Sequence, residues 1–236
     1  MYPNNDKISI GQLVNILVLS LIGTGILTLP RDLAEMVGTD GWLVLLAGGI
    51  FVMGISYFHG YIIELFPGKA LFEILTFTLK KPLAYLLSIF LCIHLLGNAA
   101  YVVRIYKTVI KTVLLPRTPG PVIIGMMLLT VIYLVRVGIE PMGRLSNMLF
   151  PVSVIMVTIL FALTLGDADF SNLRPFLQTP AIRILKSSNV AVFSFLGFEL
   201  LLIFGVNLNM PERAKKIGPI AIGLVLIFYF IICLML

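Results

Sequence analysis

The chain has 236 residues, of which 59% are hydrophobic and only 12% charged, with a mean hydropathy of +1.07. A water-soluble domain of this size cannot hide so much apolar surface, and runs of about 18 or more apolar residues recur along the whole length, as in a polytopic helical membrane protein. The net charge of +6 is scattered over loop-like stretches, which fits contact with lipid headgroups and not with nucleic acid.

Seven membrane-spanning helices are expected, at Ile8–Leu29, Trp42–Leu65, Leu83–Ile110, Val122–Val137, Leu149–Leu165, Val190–Val206 and Ile217–Leu236. The links carry turn and polar residues, such as Phe66-Pro67-Gly68-Lys69, Lys80-Lys81-Pro82, Arg117-Thr118-Pro119-Gly120 and Pro211-Glu212-Arg213. No signal peptide is expected, because the first apolar run is too long and ends without a small-residue cleavage site. The longest link runs from Gly166 to Asn189, and Thr179-Pro180 within it reads as an N-cap followed by Pro at the first helical position, so a short surface helix should follow. The last run ends at Leu236 with no polar flank, and the chain is expected to be cut short of a complete membrane protein. Lysines and arginines fall almost evenly on the two sides of this topology and do not fix its orientation. Arg104, Lys107 and Lys111 form a row on one helical face, suited to a partner's acids, to lipid phosphates or to plain snorkelling.

Inside the first span, Ile22-Gly23-Thr24-Gly25-Ile26-Leu27-Thr28-Leu29-Pro30 makes a poor straight helix. A backbone break at membrane depth survives where it lines a cavity or binds something, so Gly23, Thr24 and Gly25 are candidate ligand-binding residues. The alternative is close helix packing through small residues. In the sixth span, Phe193-Ser194-Phe195-Leu196-Gly197-Phe198-Glu199 holds a second glycine, two residues before the one carboxylate well inside an expected span. Such an acid should face the bundle interior or water, and Glu199 is either functional or a protonated strut between helices. The two glycine-interrupted spans stand in corresponding positions five helices apart, the arrangement expected of an inverted repeat whose broken helices meet at the midplane.

The third span carries His94, Asn98 and Tyr101 within a narrow arc, with Gly97 beside them. This polar stripe should face protein, either as interhelical hydrogen bonding or as the lining of a polar cavity. Cys92 and Cys233 lie in apolar runs and suggest neither a disulfide framework nor a metal site. The two histidines, His59 and His94, belong to no metal-binding or Ser/His/Asp pattern, and no phosphate-binding glycine motif is present. No enzyme activity and no cofactor are therefore expected.

Four stretches together carry a family resemblance: Gly23-Thr24-Gly25-Ile26-Leu27-Thr28-Leu29-Pro30-Arg31, Arg117-Thr118-Pro119, Asn172-Leu173-Arg174-Pro175 and Ser194-Phe195-Leu196-Gly197-Phe198-Glu199. Over essentially its whole length the chain resembles the permease-like B subunits of bacterial spore germinant receptors, in the amino acid–polyamine–organocation superfamily. The resemblance implies an all-α, leucine-transporter-type inverted-repeat fold of about ten spans. About seven of those would be present here, as a single transmembrane domain with a first repeat at about 8–165 and an incomplete second at about 190–236. It implies a cytoplasmic N-terminus, the inner membrane of a spore-forming bacterium, and action with A and C receptor subunits on a small germinant such as an amino acid. By the same resemblance Gly23, Thr24 and Gly25 match an unwound first helix, and Phe195, Gly197, Phe198 and Glu199 match an unwound sixth. Asn98 and Tyr101 join the candidate ligand-binding set. Two other functions stay open, a proton-coupled amino-acid permease with Glu199 or His94 carrying the proton, and a scaffold or truncated subunit without ligand binding.

Overall fold

The computed structural model describes residues 7–164 and 179–235. The helices in chain order are α1 (Ile10–Val37), α2 (Gly41–Leu65), α3 (Leu71–Thr78), α4 (Lys81–Val109), α5 (Gly120–Val137), α6 (Ile139–Thr164), α7 (Ala181–Ser194), α8 (Leu200–Phe204) and α9 (Ile217–Met235). A π turn, Ile110–Leu114, extends α4, and 3-10 turns lie at Gly38–Asp40, Gly205–Asn207 and Pro211–Lys216. The stretch Asn172-Leu173-Arg174-Pro175, most of the long link and Leu236 lie outside the described residues.

Five helices are long and apolar enough to cross a membrane among the described residues: Gly41–Leu65, Lys81–Leu114, Gly120–Val137, Ile139–Leu163 and Pro211–Cys233. They correspond to the second, third, fourth, fifth and seventh expected spans. The other two expected spans differ. The sixth is not one rod, because α7 stops at Ser194 and α8 starts only at Leu200. The first keeps a shorter apolar stretch, Ile10–Gly23, but its helix runs unbroken from Ile10 to Val37. The expected unwinding at Gly23-Thr24-Gly25 is thus absent, since the helix continues through both glycines and Pro30. Its start is fixed by a reciprocal cap, in which the Ser9 N–H donates to Gln12 Oε1 at 2.8 Å and the Gln12 N–H donates to Ser9 Oγ at 3.2 Å.

The chain folds as two compact units, one Met1–Lys7 with Lys69–Met142, the other Ile8–Gly68 with Gly143–Leu236. The division cuts across the expected repeats, for α1 and α2 share a unit with α7, α8 and α9. In that unit α2 packs on α7 and α9, and α1 packs on the same two helices. Lipid tails are as apolar as leucine, so helices in a membrane associate through close packing and not through apolar burial as such. The sequence meets that need with small residues. Gly41, Gly48, Gly49, Ser56 and Gly60 share the buried face of α2. A Cβ on Gly48 would meet Ala191 and, at 3.1 Å, the Ser188 carbonyl of α7, while Gly60 lies against the backbone of Ala214 and Lys215. From α9, Ile217, Ala221, Val225 and Tyr229 face inward at intervals of one helical turn, each at most 2% exposed.

Polar groups tie the periphery of this unit. The Lys215 ammonium pairs with Glu64 at 3.2 Å, and the Thr179 N–H donates to Asp40 Oδ2 at 2.8 Å. Ile8 and Leu208 form a parallel bridge, with the Ile8 N–H donating to the Asn207 carbonyl and the Asn209 N–H to the Ile8 carbonyl. Asn15 Nδ2 donates to Asn147 Oδ1 at 2.8 Å, and Ser146 Oγ donates to the Gln12 and Gly143 carbonyls. These bonds let α6 begin at Ile139, well before the expected Leu149, because its polar first turns meet polar partners.

In the other unit, α3 was not expected as a helix. Glu73 reaches back to accept the Ala70 N–H at 3.1 Å, capping the helix start. Lys69 stands 4.7 Å over the Phe77 ring, its charge against the aromatic face. The faces of α4 and α5 are widely exposed, with Phe90 and Leu129 each about two thirds or more accessible. Gly138, at φ +110°, ends α5 in a left-handed turn that other residues rarely adopt.

The tail of the long link also differs from expectation. A helix does start at Ala181, but Thr179 does not cap it; Pro180 holds the N-cap position without a side-chain bond. The short surface helix and the first half of the sixth span are one element, α7.

Gly60→Ala should lower stability by about 1–3 kcal/mol, because the new methyl meets backbone, including the Lys215 nitrogen at 2.6 Å, and α2 must shift. Gly54→Ala, with nothing within 4 Å of its Cβ position, should be neutral or stabilising by up to about 1 kcal/mol. Unfolding in detergent, followed by circular dichroism, measures both, and equal losses would refute the close α2 contact as the determinant.

Candidate functional site

The site is built on the gap between α7 and α8. The chain leaves α7 through tight turns, in which the Phe195 N–H donates to the Val192 carbonyl at 3.1 Å and the Leu196 N–H to the Phe193 carbonyl at 3.2 Å. Gly197 then takes φ +115°, and a Cβ there would stand 2.9 Å from Ser20 Oγ of α1. Left-handed backbone and close approach both demand glycine. Glu199 folds back so that its Oε2 accepts the Gly197 N–H at 2.8 Å, and the carboxylate is 9% exposed. The Leu200 N–H donates to the Gly197 carbonyl at 3.1 Å, and α8 resumes.

Three helices close on this gap. Phe195 is fully buried and tilts against Tyr229 of α9, with ring centroids 5.6 Å apart. The Tyr229 hydroxyl donates to the Leu21 carbonyl of α1 at 2.6 Å. Gly25, one turn further along α1, leaves room for that phenol, and its Cβ position is 2.7 Å from the Ser194 carbonyl oxygen. On the α2 side, Phe198 stacks face to face on His59, centroids 5.3 Å apart and planes 10° from parallel. Glu199 lies close enough for its charge to act on that imidazole.

Of the expected site residues, Gly25, Phe195, Gly197, Phe198 and Glu199 come together. Phe195 does so as core, sealed behind Tyr229. Gly23 does not join them: it is exposed, with nothing within 4 Å of its Cβ position, and a step of two residues puts it about 200° around the helix from Gly25. Thr24 belongs to the unbroken α1, and its side chain lies outside the described structure. Asn98 and Tyr101 lie on α4, in the other unit, where Asn98 is half-buried and Tyr101 is 48% exposed. Ser20, His59 and Tyr229 were not singled out from the sequence. The signal for His59 was available, as an imidazole inside a long apolar run is costly unless it faces protein or water. Among the described residues, no group of three His, Cys, Asp or Glu could hold a metal ion.

The arrangement suits a cation. The carbonyl end of α7 carries partial negative charge, and a buried carboxylate stands beside it. Beside the break stand the His59 imidazole stacked on Phe198 and, from α1, Ser20 and Gly25. Gly197→Ala should destabilise by about 1–2 kcal/mol from the left-handed backbone alone. Tyr229→Phe, which removes the bond to Leu21, should cost about 0.5–1.5 kcal/mol. Denaturation in detergent compares them, and a silent Gly197→Ala would refute the strained turn.

A family model described as spore germination protein matches residues 7–236. Spore germination protein YndE of Bacillus subtilis (strain 168) is 29% identical over 236 residues, covering 100% of this chain and 65% of the relative. Spore germination protein A2 of the same organism is 32% identical over 211 residues, covering 89% of this chain and 56% of the relative. Spore germination protein B2, also from that strain, is 28% identical over 234 residues, covering 98% and 63%. The chain therefore spans less than two thirds of the length of these relatives. No solved structure matches it. Matched by the family model from Lys7 to Leu236, and by relatives along nearly all of its length, the chain belongs to the spore germination protein (spore permease) family.

Proposed function

We propose that this chain is the membrane-embedded, ligand-sensing part of a spore germinant receptor, binding a small germinant with a cationic amine, such as an amino acid. The observation that carries the reading is the buried Glu199 carboxylate inside a broken span, bonded to the backbone of the break and packed against α1. An acid in that setting is costly to keep for packing alone, and broken helices in membranes mark ligand sites. The ligand amine goes to Glu199 and the carbonyl end of α7. Because α1 stays helical, its amides are engaged within the helix, and recognition rests mainly on the sixth-span break. Gly25 serves as the close-packing floor of the site, while Gly23, Thr24, Asn98 and Tyr101 remain further candidates for ligand contact.

The wider frame is a leucine-transporter-type inverted repeat in the inner membrane of a spore-forming bacterium. Its support is the pairing of the first two spans with the last two, in which α1 and α2 each pack on α7 and α9. Binding is relayed to partner subunits of the A and C type. A permease built on the same site would move the amino acid across the bilayer, so flux into proteoliposomes separates that reading from sensing.

Glu199→Gln should weaken the response to amino-acid germinants by about 1–3 kcal/mol, roughly 5- to 150-fold in half-maximal concentration, the range for losing a charged hydrogen bond. The measurement is a dose–response in spores carrying the complete receptor, with membrane levels checked by immunoblot. Wild-type potency at equal abundance would remove the carboxylate from ligand binding.

A further inference from the structure

His59 is the one group at the break that the reading above leaves without a task. It stands on α2 three residues after Ser56 and one before Gly60, both buried. Gly60 lies against the backbone of Ala214 and Lys215, and a Cβ on Gly218 of α9 would meet Ser56 Oγ at 2.5 Å, so the segment holding the imidazole is tightly placed. The ring lies flat on Phe198, the residue before Glu199. A stacked ring offers its nitrogens at its edge and not toward Phe198. His59 Nδ1 is buried and makes no hydrogen bond among the described residues. A buried polar atom left in that state is costly and calls for an explanation.

The charged surroundings narrow what that partner is. Glu199, from the break, is the charged group whose field reaches the ring. On α2 itself, Glu64 is engaged with Lys215 of the Pro211–Lys216 turn, at 3.2 Å. α9 carries no charged residue, and the charged residues of α7, Arg183 and Lys186, lie in its first half, away from the break. The ring is partly exposed.

We propose that His59 is a specificity-determining residue of this site: neutral, it leaves Glu199 to the amine of the ligand, and protonated, it pairs with Glu199 and shuts the amine out. The inference rests on the reading of Glu199 as the amine's partner. No covalent step is involved. The imidazole takes a proton from water, and the resulting imidazolium and the ammonium of the ligand compete for one carboxylate. Histidine is the side chain that ordinarily titrates between about pH 5 and 8, and the exclusion grows on acidification as the ring takes up its proton. For one competing proton, apparent affinity falls by up to about tenfold for each pH unit below the titration midpoint.

The test uses the complete receptor subunit in lipid nanodiscs, with free L-amino acids as probes and thermal stabilisation as the readout, from about pH 5 to pH 8. In the wild type, stabilisation by a bound amino acid should fade on acidification, with the slope given above. His59→Gln should bind at all these pH values with the slope abolished, a change that a merely structural role would not produce. His59→Phe, which keeps the stack on Phe198, gives the same reading should His59→Gln fail to fold. If the variants keep the wild-type pH slope, the assignment of His59 is overturned while the Glu199 site stands. If no amino acid stabilises the wild type at any pH, or if Glu199→Gln binds as wild type does, the amine–carboxylate reading fails and this inference falls with it.

Discussion

The constraint behind the structure is that no backbone N–H or C=O can be left open inside an apolar medium. Helices satisfy it automatically, and the sixth span gives up that solution at Phe195–Glu199. What closes the account there is local chemistry. The Glu199 carboxylate takes the Gly197 N–H, short-range turns take up the amides of Phe195, Leu196 and Leu200, and the packing of α1 and α9 excludes lipid. Much else follows from this gap. Gly197 must be glycine because the chain turns left-handed against Ser20, and Gly25 must be small because Tyr229 and the Ser194 carbonyl occupy the adjoining space. The same carboxylate that satisfies the break also gives it a negative character.

How much of this could be read from the residues depends on the kind of force involved. Long uninterrupted apolar runs were legible to within about a turn, as for α2, α4, α5 and α9, since hydropathy alone places them. The interruption at Gly197 was legible too, because a glycine next to an acid in an apolar run is hard to explain otherwise. The unbroken course of α1 was not. Gly23 and Gly25 read equally as a break or as close packing, and what decides is the phenol of Tyr229, roughly two hundred residues away in sequence. The early start of α6 was hidden for a similar reason, its polar first turns being paid by Gln12 and Asn15 of α1. The helix α3 was missed between two turn signals, where a single Glu73 side chain caps it.

His59 shows a third limit. Its meaning comes neither from its own span nor from spacing, but from a ring stack with Phe198 across two helices. Motif reading looks for histidine beside other ligands in sequence, whereas this one is placed beside the break only by the fold. Asn98 and Tyr101 are a different case. A tidy polar arc on one helix is a sound reason to expect buried surroundings, yet Tyr101 is nearly half accessible and both residues belong to the other compact unit.

The pairing of early helices with late ones has a consequence for how the chain is made. Ile8 forms its backbone bridge with Leu208, and Leu21 receives its phenol from Tyr229, so the partners lie far apart in sequence. A ribosome delivers the chain in order, and domains generally fold as their parts emerge. The glycine face of α2 and the inner face of α1 therefore enter the bilayer without the helices that later cover them. They must remain available, neither sealed by lipid nor captured by another small-residue helix, until α7 and α9 arrive. Contacts of such long sequence separation are closed late and slowly. The period between insertion of the first hairpin and arrival of its cover is thus the stage of biogenesis at which this architecture is most open to mispairing.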